Sequence, residues 1–273
     1  MELILKPRKG WRSLDLEELW RQRELMYFLV WRDVKIRYRQ TALGVAWAVL
    51  QPLIGMVVFT LLFNRVAGIQ TGSDTPYELF AYTGLLAWTF FSTSVSQSSN
   101  SLISSQDLIR KIYFPRPFIP IGSTGALLLD LLIGIALGFG LFAWFGWPIS
   151  VRIVILPVFI LGCFMSACGI GLILSALSVR FRDIKYIIPF FVQMGLFVTP
   201  VIYPAKLVEK FPAIHEYLGL NPMAGMVHGF RYCLLGEPPD WRLIAMSFAV
   251  SGILFVSGLF FFRRWERHFA DII

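Results

Sequence analysis

Six stretches of this 273-residue sequence run for 18 to 27 residues with almost no charge, and this constrains the fold more than any other feature. They cover residues 43–63, 79–103, 119–145, 153–179, 186–203 and 243–262, and Asp130 in the third is the one charge among them. A helix rises about 1.5 Å per residue, so crossing about 30 Å of hydrocarbon takes roughly 20 apolar residues. Inside a bilayer the backbone polar groups of such a run have to be satisfied within the segment, which makes each run a helix. Composition agrees: 56% of residues are apolar and 15% charged, against about 25% charged in soluble domains. The sequence therefore predicts an all-α integral membrane protein with six transmembrane helices.

Cationic side chains set the expected orientation. With the N-terminus inside, the cytoplasmic parts hold nineteen of the 25 Lys and Arg: ten within residues 1–42, then Arg110, Lys111 and Arg116, then Arg180, Arg182 and Lys185, then Arg263, Arg264 and Arg267. That is the bias expected of inner-leaflet loops, and it places both termini in the cytoplasm of an inner-membrane protein. The net charge of +8 belongs to these short loops, so nucleic acid is not an expected partner, whereas membrane lipid is. The division is then residues 1–42 as cytoplasmic N-terminal interfacial helices, 43–262 as the transmembrane domain and 263–273 as a cytoplasmic tail. No apolar stretch of a signal peptide precedes the first span.

Within residues 1–42, Ser13 is an expected N-cap with Asp15, Glu17 and Glu18 in the first turn, where negative charge suits the helix dipole. From Trp31 the stripe Trp31, Val34, Tyr38, Ala42 has helical spacing, and Arg32, Lys35 and Arg39 form a basic face suited to anionic headgroups. Between the fifth and sixth spans, residues 204–240 are too polar to cross twice. Asn221 caps a short helix there, Pro222 fits its first turn, Met223, Met226, Val227, Phe230 and Leu234 make its stripe, and Gly236 ends it. Thirteen residues reach only about 20 Å, so this region is expected to form short re-entrant helices in the outer leaflet.

The chain contains no Gly-Lys pair and hence no phosphate-binding P-loop. His215, His228 and His268 are scattered, no carboxylates cluster, and Cys163, Cys168 and Cys233 form neither a C-x-x-C motif nor an even count. These residues predict core thiols, no metal, no bound cofactor and no catalytic constellation. Work done by such a chain is transport, with energy supplied from elsewhere. The loop 105–117 mixes Asp107, Arg110, Lys111 and Arg116 with Ile109, Ile112, Tyr113 and Phe114, which fits either a headgroup-level helix or a docking surface.

Five segments carry a resemblance over nearly the whole chain: 31–47 (WRDVKIRYRQTALGVAW) with Gln51 and Pro52, 108–117 (LIRKIYFPRP), 179–189 (VRFRDIKYIIP), 199–204 (TPVIYP), and 221–231 (NPMAGMVHGFR) ending in Leu234, Leu235 and Gly236. In this order they resemble type-2 ABC exporter permeases of the polysaccharide-export branch, which handles O-antigen, capsule or teichoic acid. His228 departs from the pattern, which carries an acidic residue there. The resemblance implies a homodimer of six-span subunits with two copies of a separate cytoplasmic ATPase that binds the ATP and magnesium, exporting a lipid-linked polysaccharide.

It also implies roles for particular residues. Asp107, Ile109, Arg110, Lys111, Tyr113, Phe114 and Arg116 become the contact coupling permease to ATPase, with Arg180, Arg182 and Asp183 as a second cytoplasmic contact. Spans one and five line the channel, so Phe59, Phe63, Phe197 and Tyr203 are candidates for weak stacking on the C–H faces of passing sugars. Arg37 and Arg39 precede the first span at the level of a lipid-linked phosphate, where charge-assisted contact and plain lipid anchoring are both open. An ionisable residue at the depth of Asp130 is a functional candidate by default, but no Lys or Arg shares that depth and no chain of groups for a proton relay is apparent, so this intramembrane acid is expected to be neutral or hydrogen-bonded, tying helices together through Ser, Thr or Gln. Within the family the alternative cargo is a drug or small lipid. An intramembrane enzyme of lipid-linked sugar metabolism would show clustered carboxylates or histidines, and an ion-coupled transporter paired intramembrane charges.

Overall fold

The protein is described by a computed structural model covering residues 21–39, 44–69, 71, 74–111, 114–181, 183–204 and 217–266. The helix expected after Ser13, the side chains of Tyr113 and Arg182, residues 205–216 and the tail 267–273 lie outside the described residues. Among the described residues every regular element is helical. In chain order they are α1 (Arg23–Arg39), α2 (Gly44–Phe59), α3 (Tyr77–Ser104), α4 (Gln106–Lys111), α5 (Phe118–Ala126), α6 (Leu128–Trp144), α7 (Leu156–Arg180), α8 (Ile184–Val198), α9 (Pro222–Leu234) and α10 (Trp241–Glu266). A π-helical turn, Thr60–Val66, extends α2, and a 3-10 turn, Val151–Ile155, leads into α7.

Each of the six apolar runs became a helix, but not all in the same way. Among the described residues four are long and apolar enough to cross a membrane: Ala46–Val66, Phe118–Trp144, Val151–Arg180 and Trp241–Glu266. The third is interrupted at Leu127, where α5 gives way to α6. The second run forms α3, whose 28 residues are long enough. Its second half carries eight Ser, Asn or Gln side chains between Ser92 and Ser101, and they are tolerated because α3 is the central helix, packed against α2, α5, α6, α7, α8 and α9. The fifth run is cut to the 15 residues of α8. Pro200 explains the stop, since the residue before a proline is pushed to extended geometry, and Thr199 sits at ψ 138°.

Small residues bring α7 and α10 close together, as expected of helices packing inside a membrane. Ser166 and Ser251 share a hydroxyl–hydroxyl hydrogen bond of 2.7 Å. A Cβ on Gly169 would lie 2.5 Å from the Leu254 carbonyl, and one on Gly258 would run into the backbone of Gly169. Gly169→Leu or Gly258→Leu is therefore expected to force the helices apart and destabilise the protein by about 1 to 3 kcal/mol or more. The check is membrane abundance and melting temperature in detergent. Gly252→Leu, whose nearest neighbour is the flexible end of Met165, should be milder.

Helix α1 lies along α5, not apart from the bundle. Leu29 is buried, and Leu25 and Met26 pack with it against the core around Leu102, Phe118 and Phe262. The inward face is thus set by Leu25 and Leu29. Trp31, expected on the apolar stripe, instead points outward beside Lys35, whose ammonium sits 5.6 Å from the indole ring centre. The stripe shifts because α1 has a protein neighbour on one side, and Leu rather than Trp fits against α5.

Candidate functional site

Three groups of side chains stand out, one beside α1, one at the basic end of the bundle and one at the opposite end. The first brings together the last turn of α1 and the first turn of α6. Arg37 Nη2 lies 2.6 Å from Asp130 Oδ2, and the Tyr38 hydroxyl donates to Asp130 Oδ1. One turn back, Asp33 pairs with Arg32 and accepts a 3.3 Å hydrogen bond from Ser123 on α5. This corrects the expectation for Asp130. A cation does reach its depth, because α1 runs alongside α5 and the side chains of its last turn reach the start of α6, and the partners are an arginine and a tyrosine rather than a Ser, Thr or Gln. The Asp130 carboxylate also lies near an N-terminal helix end, where negative charge is favoured.

Beside the pair is a small cavity of about 30 Å³, with Gln51, Thr89 and Thr93 among its polar lining and Ala48 and Pro52 of α2 on one wall. Pro52 brings no N–H to the helix ladder, so the Ala48 carbonyl lacks its usual donor. Arg39, the other candidate for phosphate contact, is exposed on the outer side of α1 with Arg32 and Lys35. The two arginines therefore face different surroundings.

At the basic end, α4 presents Asp107, Arg110 and Lys111 to the outside, while Leu108 and Ile109 lean on the core. Phe114 is 5% exposed and packs in the cluster of Leu29, Leu102, Phe118 and Phe262. The expectation that its ring is offered to a partner is corrected. Prolines 115 and 117 turn the chain back into the bundle, and the ring goes with it. Arg116 Nη1 donates to the Glu266 carbonyl at 2.8 Å, which ties this loop to the last turn of α10. Arg180 stacks over Trp265 and Phe181 at 5.2 and 5.3 Å, and Asp183 stands exposed at the N-cap of α8.

The aromatic candidates occupy two helices. Phe59 and Phe63, on α2 and its π-helical extension, are 5.8 Å apart and partly packed against the core. Phe197 is 49% exposed on α8, together with Tyr186, Phe190, Phe191 and Met194, and only Ile188 of that helix is buried. Tyr203 donates to the Phe197 carbonyl at 3.1 Å. Sequence reasoning missed both the π turn and the breadth of this exposed aromatic face. The signal for the latter was the Phe190–Phe191 pair next to Tyr186.

It also missed Arg231, at 2% exposure the largest fully buried side chain among the described residues. From α9 its guanidinium donates to the carbonyls of Pro200 at 2.8 Å and Val201 at 2.6 Å, and it lies 3.4 Å from the ring centre of Phe80 on α3. Gly84 makes room, since a Cβ there would meet the Val201 oxygen at 2.7 Å. Tyr77 donates to the Ile202 carbonyl at 2.6 Å, and Asn221 to the Thr199 hydroxyl at 2.9 Å. Side chains of α3 and α9 thus hold the segment after α8 by its backbone. The capping read from sequence is present: the Asn221 side chain accepts from the Met223 N–H at 3.0 Å, and Gly236 follows the helix at φ 76°.

His228 accepts the Asp240 N–H at 3.0 Å and so joins α9 to the start of α10. Burial, aided by the Arg231 charge, holds its imidazole below the ordinary value of 6.5. Because the folded value is lowered, the stabilisation is complete above pH 6.5 and is lost as pH falls from there through the folded value. Melting temperature should therefore drop as pH falls below the ordinary value of 6.5, with a shallower drop in His228→Gln, which cannot titrate.

Residues 24–235 match the sequence pattern of the family described as ABC-2 type transporter. Over 260 residues, 94% of this chain and 98% of the relative, the sequence is 31% identical to the O-antigen export system permease protein RfbA of Myxococcus xanthus. Identity to a protein of the same name from Klebsiella pneumoniae is 28%, over 92% of this chain and 95% of the relative. The polysialic acid transport protein KpsM of Escherichia coli is 25% identical over 86% of this chain and 91% of its own length.

Proposed function

The chain belongs to the ABC-2 type transporter family, and from that premise we propose that it is the permease subunit of an ABC exporter that moves lipid-linked polysaccharide across the inner membrane. The observation that carries this reading is full-length similarity to permeases named for O-antigen export, with further similarity to a polysialic acid transport protein. The missing P-loop fits a chain whose ATP and magnesium are bound by a separate ATPase. On this reading two copies of the permease form the channel and two copies of the ATPase drive it.

In this arrangement all six apolar runs span the membrane, α8 being completed by the backbone segment that Arg231 holds. Both termini and α4 face the cytoplasm, and α9 belongs to a re-entrant unit in the outer leaflet. Exposed Asp107, Arg110 and Lys111, supported from behind by Ile109 and Arg116, meet the ATPase, and Arg180 and Asp183 add a second contact. The exposed face of α8 around Phe197, with Phe59 and Phe63 of α2 and Tyr203, borders the sugar path. Arg37 meets the phosphate of the lipid carrier, and Arg39 the surrounding headgroups.

The division of labour is tested with purified protein. The chain alone is expected neither to bind nor to hydrolyse ATP, and the complex with its ATPase to do both. Stoichiometric nucleotide binding to the isolated chain at micromolar affinity would contradict the reading. Orientation is tested by single cysteines in a cysteine-free background: one at Asp107 should label only after permeabilisation, and one at Val151, which is exposed at the opposite end, in intact cells.

A further inference from the structure

Resting on the reading that Arg37 meets a lipid-borne phosphate, we propose that the Asp130 carboxylate is an internal stand-in for that phosphate, and that a phosphate-bearing lipid binds by displacing it from Arg37. Two donors converge on this carboxylate, the Arg37 guanidinium at 2.6 Å and the Tyr38 hydroxyl. A guanidinium and a hydroxyl aimed at one anion are also the donors that hold phosphate oxygens. The site is within reach of a ligand, because the Arg37 and Asp130 side chains keep 27% and 17% of their exposure. Beside the pair the cavity lined by Gln51, Thr89 and Thr93 offers an amide and two hydroxyls to receive the displaced carboxylate.

The exchange suits a transporter that has to let go. An arginine held open for phosphate would retain it. An arginine paired most of the time binds more weakly in proportion to the fraction of time it is free. Between substrates Asp130 keeps the Arg37 charge partnered in a setting where an unpaired ion is costly, and on release it reclaims its place. An ion pair serving only to pin α1 against α6 has no such link to ligand affinity.

The experiment uses the full permease–ATPase complex in nanodiscs of neutral lipid, titrated separately with polyprenyl phosphate, phosphatidylglycerol and inorganic phosphate. Asp130→Asn keeps the shape and the oxygen that Tyr38 bonds, and removes the competing charge. It should tighten binding of polyprenyl phosphate about tenfold, as expected if Arg37 is paired about nine-tenths of the time. Arg37→Gln should weaken binding about tenfold, and the double variant should match Arg37→Gln. Tightening seen with polyprenyl phosphate alone assigns the site to the carrier lipid; tightening with phosphatidylglycerol or inorganic phosphate as well assigns it to phosphate in general, and either supports the exchange. Unchanged or weaker binding of all three probes to an intact Asp130→Asn complex, and to Asp130→Ser as a second neutral variant, overturns it. If Arg37→Gln still weakens binding in that case, phosphate contact by Arg37 stands and only the role of Asp130 falls. If Arg37→Gln has no effect, the underlying assignment of Arg37 falls instead.

Discussion

Arg231→Leu is expected to abolish export and to lower the stability of the purified protein by about 2 to 6 kcal/mol, the cost of two orphaned buried acceptors. The guanidinium is buried, and burial pushes its pKa down only to about 10, so it remains charged at neutral pH. Removing it strands the Pro200 and Val201 carbonyls without donors and takes the cation from the face of Phe80. Each orphaned buried acceptor costs about 1 to 3 kcal/mol. Arg231→Lys keeps the charge, but one ammonium cannot reproduce a planar fork reaching two carbonyls and a ring, so it should recover only part of the loss. The consequence reaches the proposed sugar path, because Tyr203 and the end of α8 take their positions from the backbone that Arg231 holds. Melting temperature and export, both scaled to membrane abundance, check this. Near-normal values for Arg231→Leu would show that the segment is held without the guanidinium.

A second large effect is expected at α4, where reversing Arg110 and Lys111 to Glu should weaken assembly with the ATPase at least tenfold while leaving membrane abundance intact. Both side chains are exposed, so the change does little to the fold and alters the sign of the proposed docking surface. Exposed charges are screened over about 8 Å at physiological ionic strength, and added salt should therefore reduce the difference between variant and parent. Phe114→Ala should behave differently. Its ring lies in the core, so truncation costs about 3 to 5 kcal/mol of stability and lowers abundance first. Pull-down of the ATPase across a salt series, beside abundance of each variant, separates the two outcomes. Normal assembly of the charge-reversed chain would move the coupling contact elsewhere.

The contrast between Arg110 and Phe114 shows how far the sequence could be read. Length, periodicity and the loop prolines place α4 between two helices, and they identify a mixed charged and apolar loop. They do not say which apolar group turns inward, because that depends on what α1 and α10 bring to the same end. The apolar helices were legible because apolar length is a one-dimensional signal, and the α9 cap was legible because Asn221 bonds two residues along. The Arg37–Asp130 pair was not, since its partners are separated by the whole of α2, α3, α4 and α5 and meet only when α1 lies along α5. Asp130 alone did announce that some partner was required, and the basic turn before the first apolar run was the nearest supply. Arg231 gave a weaker signal, a single arginine on a helix whose other positions, His228 aside, are apolar or small. The shortening of α8 was available in Pro200 and outweighed by the apolar run around it.

The central claim is that this chain moves a lipid-linked sugar polymer and takes its energy from a separate ATPase. The most direct measurement is ATP-dependent transfer of a defined lipid-linked polysaccharide across proteoliposomes, with the chain alone, the ATPase alone and both together. The account predicts that polymer becomes accessible on the far side only with both proteins and hydrolysable ATP. Polymer transfer by the chain without its ATPase, or ATP-driven movement of a small amphipathic drug or lipid with no polymer transfer, would contradict it.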